Sequence, residues 1–78
     1  MKVQVRYFAV LREQKGRESE AVEVAEGTTV GELYASLFPP GPEGRLPVGF
    51  ARNLEYVRSD EVVQAGDEIA FLPPLGGG

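Results

Sequence analysis

The chain contains no cysteine and no histidine. Without thiols there is no disulfide, no thiolate nucleophile and no thiolate metal site. Without imidazole the commonest general base and the commonest zinc ligand are missing too. Catalysis by this chain alone would have to rest on Asp, Glu, Lys or Tyr, a poor set for an independent enzyme. Long apolar runs are also missing, so nothing approaches membrane-spanning length, and the start Met1-Lys2-Val3-Gln4-Val5-Arg6 is too often interrupted by polar residues to form a signal-peptide core. Basic residues form no stripe, which argues against nucleic acid as a partner. The expectation is a soluble cytoplasmic protein that binds neither nucleic acid nor membrane.

What is there fits one small domain. With 78 residues, 42% hydrophobic and 26% charged, the composition is that of an ordinary globular chain. A chain of this size buries only roughly 60% of the surface that its unfolded form exposes, so a partner would add to a modest stability. The net charge of −4 comes from interleaved acids and bases, and suits a basic partner surface.

Residues 2–8 alternate, with Val3, Val5 and Tyr7 on one face and Gln4, Arg6 and Phe8 on the other, the period of a half-buried strand. Residues 9–14 favour a short helical turn closed by Lys15 and Gly16. Residues 20–25 alternate again and predict a second strand, with Val22 and Val24 inward and Glu20 and Glu23 outward. After the turn Glu26-Gly27-Thr28, the stretch Thr29-Val30-Gly31-Glu32 matches a capping box. Val30, Leu33, Tyr34 and Leu37 then recur at helical spacing, and this main helix stops at Pro39-Pro40. Gly31 weakens it by up to about 1 kcal/mol relative to alanine. Residues 39–47 form a proline-rich surface loop. A strand from Val48 to Arg52 turns at Asn53-Leu54-Glu55, and Tyr56-Val57 return. After the turn Ala65-Gly66-Asp67, residues 68–72 form the last strand, with Ile69 and Phe71 on one face and Ala70 and Leu72 on the other.

One amphipathic helix in so short a chain is best buried against one face of a sheet. The first and last strands, both rich in apolar residues, are expected side by side at the centre and parallel. The fold class is therefore α+β: a β-grasp (ubiquitin-like) fold, a mixed sheet of about five strands on one main helix, with an extended C-terminal tail. The division is a domain over residues 1–72 and a tail over residues 73–78. Phe8, Ala70 and Leu72 point away from the helix, and apolar residues on an open sheet face suggest a partner surface. The alternative is that residues 9–14 cover Phe8.

The tail is Pro73-Pro74-Leu75-Gly76-Gly77-Gly78. The two prolines fix φ and donate no N–H, so the last strand stops and the chain leaves as a stiff extended segment. The glycines carry no side chain, so another protein can close around the backbone from all sides. At roughly 3.3–3.6 Å per residue the segment reaches about 20 Å, and it is expected to end in the free carboxylate of Gly78. The plain alternative is an inert glycine tail, as disordered termini often are.

Phe8-Ala9 with Arg12-Glu13, the Thr29-Val30…Glu32-Leu33 helix start, Gly66-Asp67-Glu68 and the ending Phe71-Leu72-Pro73-Pro74-Leu75-Gly76-Gly77-Gly78 together resemble the small subunit of molybdopterin synthase, the MoaD family. The resemblance covers the whole chain, and its most specific part is the strand, Pro-Pro and Gly-Gly ending. The loop over residues 39–47 departs from the family in being shorter and richer in proline. Gly76 departs in standing where relatives often carry a small non-glycine residue.

The resemblance implies a sulfur carrier. The Gly78 carboxylate would be adenylated by a ubiquitin-activating-like adenylyltransferase using ATP, converted to a thiocarboxylate with sulfur from a donor enzyme, and used to sulfurate a pterin precursor in molybdenum cofactor biosynthesis. The partner holding that precursor would be the synthase large subunit, in a heterotetramer. The carrier itself would bind no cofactor. Gly78 and Gly77 would be the reacting end, and Phe8, Ala70, Leu72, Pro73, Pro74, Leu75 and Gly76 the partner contacts. The chemistry agrees: a terminal carboxyl with a reference pKa of about 3.3–3.7 is an anion at neutral pH and a poor electrophile, so it needs activation. With no cysteine to hold a persulfide, carried sulfur must sit on the terminus. Alternative recipients are thiamine or tRNA thiolation, or protein lysines, and the chain could also be a non-catalytic ubiquitin-like interaction module.

Overall fold

In the computed structural model, residues 1–42 and 44–74 are described. Among them, five strands and two helices follow one another in the order β1 (Lys2–Tyr7), α1 (Ala9–Lys15), β2 (Ser19–Glu23), α2 (Val30–Leu37), β3 (Gly49–Arg52), β4 (Glu55–Val57) and β5 (Glu68–Leu72). The strands form one mixed sheet in the order β2-β1-β5-β3-β4. The central pair β1 and β5 is parallel and the other three pairings are antiparallel. The expected central parallel pair is thus present, and the architecture is the ubiquitin-like β-grasp.

Strand alternation explains the core. Val3, Val5 and Tyr7 of β1 and Ile69 and Phe71 of β5 are buried on the face that meets α2. Val30, Leu33 and Tyr34 come down from α2, and Leu11 from α1 joins them. Phe71, fully buried, is the hub: the rings of Tyr34, Phe50, Phe38 and Tyr7 stand around it at 5.1–6.5 Å. Each such large apolar side chain contributes roughly 1.5–3 kcal/mol by leaving water.

Local signals act as the sequence predicts. The Thr29 hydroxyl accepts from the Glu32 amide at 3.1 Å while Glu32 Oε1 accepts from the Thr29 amide at 2.9 Å, a complete capping box. Gly16, at φ +73°, closes α1 in the left-handed region that glycine favours.

One expectation is corrected. Glu20 does not point outward. It shares strand parity with Val22 and Val24, faces the helix side half-buried, and accepts a 2.5 Å hydrogen bond from the Tyr7 hydroxyl. Its Oε1 also meets Arg17 at 3.3 Å, so the carboxylate is paired at the rim of the core.

Candidate functional site

The candidate site is the face of the sheet opposite the helices. Phe8 continues β1 in extended backbone (φ −128°, ψ 151°), so its side chain falls on the side opposite Tyr7. Ala9, at φ +50°, then turns the chain into α1. Phe8 remains 36% exposed, so residues 9–14 leave it open.

Register brings the rest together. Arg6 is opposite Ala70, Ala70 opposite Ala51, and Ala51 opposite Tyr56, making one row across four strands. Two alanines in mid-row leave a shallow floor between taller side chains. The result is a trough of about 230 Å³ lined by Arg6, Phe8, Ala51, Leu54, Tyr56, Glu68, Ala70 and Leu72. Two larger hollows lie elsewhere, one between the β2–α2 loop and α2 and one under the proline-rich loop. The trough is the one formed by β5, the strand that runs on into Pro73 and Pro74.

Phe8, Ala70 and Leu72, expected together from the sequence, do line one surface. Pro73 is half-buried and Pro74 exposed at the end of the same strand. Leu75, Gly76, Gly77 and Gly78 lie outside the described residues. Leu54 and Tyr56 are additions that sequence reasoning missed, and they are the most prominent residues of the face, 87% and 85% exposed. Leu54 stands in the two-residue β3–β4 turn beside Asn53, both at positive φ (+70° and +51°). A leucine is held there in a backbone region that costs a non-glycine residue about 1–2 kcal/mol.

The Gly66-Asp67-Glu68 stretch is mainly structural. Gly66 has φ +82°, and the buried Asp67 carboxylate accepts from the Gln64 amide at 2.7 Å and from Asn53 Nδ2 at 3.0 Å. Arg12, at the surface, pairs with Glu18 at 3.6 Å. Among the described residues no group of three acidic side chains is arranged to hold a metal ion. Phe8, Ala51, Leu54, Tyr56, Ala70 and Leu72 give the trough apolar contact and shape.

Residues 5–78 match the ThiS family. The chain belongs to the ThiS family. The family relationship is supported by a molybdopterin synthase sulfur carrier subunit of Chlamydomonas reinhardtii, 36% identical over 83 residues that span 100% of both chains. Among solved structures, SAMP1 of Haloferax volcanii superposes with a TM-score of 0.79 at 30% identity and 100% coverage of both chains. A chain in the complex of subunits 1 and 2 of molybdopterin-converting factor from Helicobacter pylori superposes with a TM-score of 0.66 at 26% identity, again over 100% of both chains. The fold relatives thus include a chain from a complex of two subunits. Among the described residues no helix is long and apolar enough to cross a membrane.

Proposed function

We propose that this protein is the sulfur carrier subunit of a molybdopterin synthase. The observation that carries the reading is the extent of the match: similarity to a molybdopterin synthase sulfur carrier subunit runs over the full length of both chains, and the family match reaches Gly78. The Gly78 carboxylate attacks the α-phosphate of ATP in a separate activating enzyme, releasing pyrophosphate and leaving an acyl-adenylate. Sulfide-level sulfur delivered by a donor enzyme then attacks the acyl carbon and displaces AMP to give the thiocarboxylate. In the synthase the large subunit supplies the catalytic side chains. The thiocarboxylate sulfur bonds to a carbon of the pterin precursor as an oxygen substituent leaves. Water then cleaves the carbonyl–sulfur bond, leaving the sulfur on the pterin and restoring the carboxylate.

The fold supports this division of labour. The open trough is a docking surface continuous with the strand that leads into Pro73-Pro74, so whatever grips the trough lies beside the end of that strand. Glycines at the end allow the reacting atom into a narrow pocket that keeps water out. The proline pair limits the entropy lost when the tail docks. The reading places the chain in the cytoplasm, with ATP bound by the activating enzyme and no cofactor on the carrier.

Intact mass tests it. Incubation with ATP, an activating enzyme and a sulfur source should raise the mass by the replacement of one oxygen by one sulfur. Adding the large subunit with the pterin precursor should reverse the change. A carrier that is thiocarboxylated but keeps its sulfur in that last step would overturn the molybdopterin assignment. A second reading is favoured by the similarity to Small archaeal modifier protein 1 of Haloferax volcanii, 33% identical over 82 residues. In that reading the activated terminus is joined to protein lysines, and the same incubation with a cell extract would yield higher-mass conjugates.

A further inference from the structure

The trough is not purely apolar. Two of its lining residues are charged, Arg6 and Glu68, and they meet only loosely: Arg6 Nη1 and Glu68 Oε1 are 4.0 Å apart, with side chains 49% and 40% exposed. At that distance there is no hydrogen bond, and a half-exposed pair of this kind contributes about 0–1 kcal/mol. Arg6 also has the Phe8 ring beside it. Its guanidinium carbon lies 5.5 Å from the centre of the Phe8 ring, and its position opposite Ala70 puts it at the wall of the trough. Glu68 is tied at its backbone instead, its amide donating to Asn53 Oδ1 at 2.9 Å and its carbonyl accepting from the Asn53 amide at 2.8 Å.

A partner that covers this surface removes water from both charges. A planar guanidinium beside an aromatic ring presents a fixed fork of donors that can take a carboxylate with two parallel hydrogen bonds. Arginine beside aromatic residues is also the composition of interface anchors, from which glutamate is depleted. Leaving Arg6 covered without a good acceptor would be penalised, so the same residue discriminates against a partner that lacks one.

We propose that Arg6 sets the partner specificity of the trough: the second subunit fills the space over Ala51 and Ala70 with an apolar side chain and brings a carboxylate that takes the Arg6 guanidinium from Glu68. This rests on the reading of the open face as the surface that docks the large subunit. Glu68 is then a competitor for Arg6 and a like charge facing the incoming carboxylate.

The test is the dissociation constant for the cognate large subunit, measured by calorimetry at low and moderate salt, with thermal unfolding as the check on folding. Arg6→Ala should weaken binding at least about tenfold and reduce its salt dependence. Arg6→Lys keeps the charge but loses the fork and should recover only part of the loss. Glu68→Gln, close in shape and with its backbone bonds untouched, should tighten binding severalfold. If Arg6→Ala binds as the unmodified chain does, or Glu68→Gln weakens binding, the proposal is overturned while the docking role of the face stands. If the unmodified chain does not bind the large subunit at all, the functional reading fails and this proposal with it.

Discussion

Gly31 lies against Ser59 so closely that a Cβ on it would stand 3.0 Å from the Ser59 carbonyl oxygen and 3.1 Å from the Ser59 Cβ. That same oxygen accepts from the Gly31 amide at 2.9 Å. Helix propensity alone says that Gly31→Ala should stabilise α2 by up to about 1 kcal/mol. The packing says the reverse, because Ser59 can retreat only by stretching a main-chain hydrogen bond. Gly31→Ala is expected to lower stability by about 1–2 kcal/mol in denaturant unfolding, against its propensity.

Leu54 gives the opposite case. It occupies a positive-φ turn position with its side chain in water. Leu54→Gly removes the backbone strain at some cost in unfolded-chain entropy, and should raise stability by about 0.5–1 kcal/mol. It also removes a wall of the trough. Thermal unfolding should therefore shift upward while affinity for the large subunit falls. A variant that gained stability and kept full affinity would remove Leu54 from the docking surface.

Tyr7 ties stability to alkaline pH. Burial raises its pKa well above the ordinary tyrosine value, the hydrogen bond and charge of Glu20 raise it further, and Arg17 opposes them. The folded state therefore holds the phenolic proton more tightly than the unfolded chain does. The resulting stabilisation is complete below the unfolded value of about 10 and is lost as pH climbs above it. Tyr34, raised chiefly by burial, adds to the same slope. Tyr7→Phe keeps the ring beside Phe38 and Phe71 but should cost about 0.5–1.5 kcal/mol at neutral pH. Its stability should fall less steeply between pH 10 and pH 12 than that of the unmodified chain, followed by denaturant unfolding at each pH.

Gly77→Val should fold normally, with unchanged thermal unfolding, yet fail to be thiocarboxylated in the mass assay. Added bulk next to the reacting carboxylate would need a wider channel in the activating enzyme. Thiocarboxylation at the normal rate would remove the steric argument for the glycine.

Much of the architecture could be read from local pattern. Val3, Val5 and Tyr7 against Arg6 and Phe8, and Ile69 and Phe71 against Ala70 and Leu72, declare which face of β1 and β5 is buried, because period two admits no other arrangement. Thr29 and Glu32 mark the helix start for an equally local reason. The site was legible only in part. Phe8, Ala70 and Leu72 sit on those two well-patterned strands, whereas Leu54 and Tyr56 belong to a two-residue turn without glycine and a three-residue edge strand. Their place beside Ala70 depends on the β3–β5 and β3–β4 registers, which are long-range facts that no short window contains. Glu20 was misplaced for a related reason: charge suggested solvent, while strand parity and the buried Tyr7 hydroxyl drew it inward.

The direction of β1 has a practical consequence. Because it runs parallel to β5, Met1 begins at the end of the sheet far from Leu72, about 20 Å away along a six-residue strand. Its amino group is fastened there by the Val24 carbonyl at 3.0 Å and by Glu23 at 3.2 Å. A fluorophore or immobilising tether at that end would displace those two contacts but stand a strand length from Leu72, so binding at the end of β5 could be followed in real time on a surface without a label beside it.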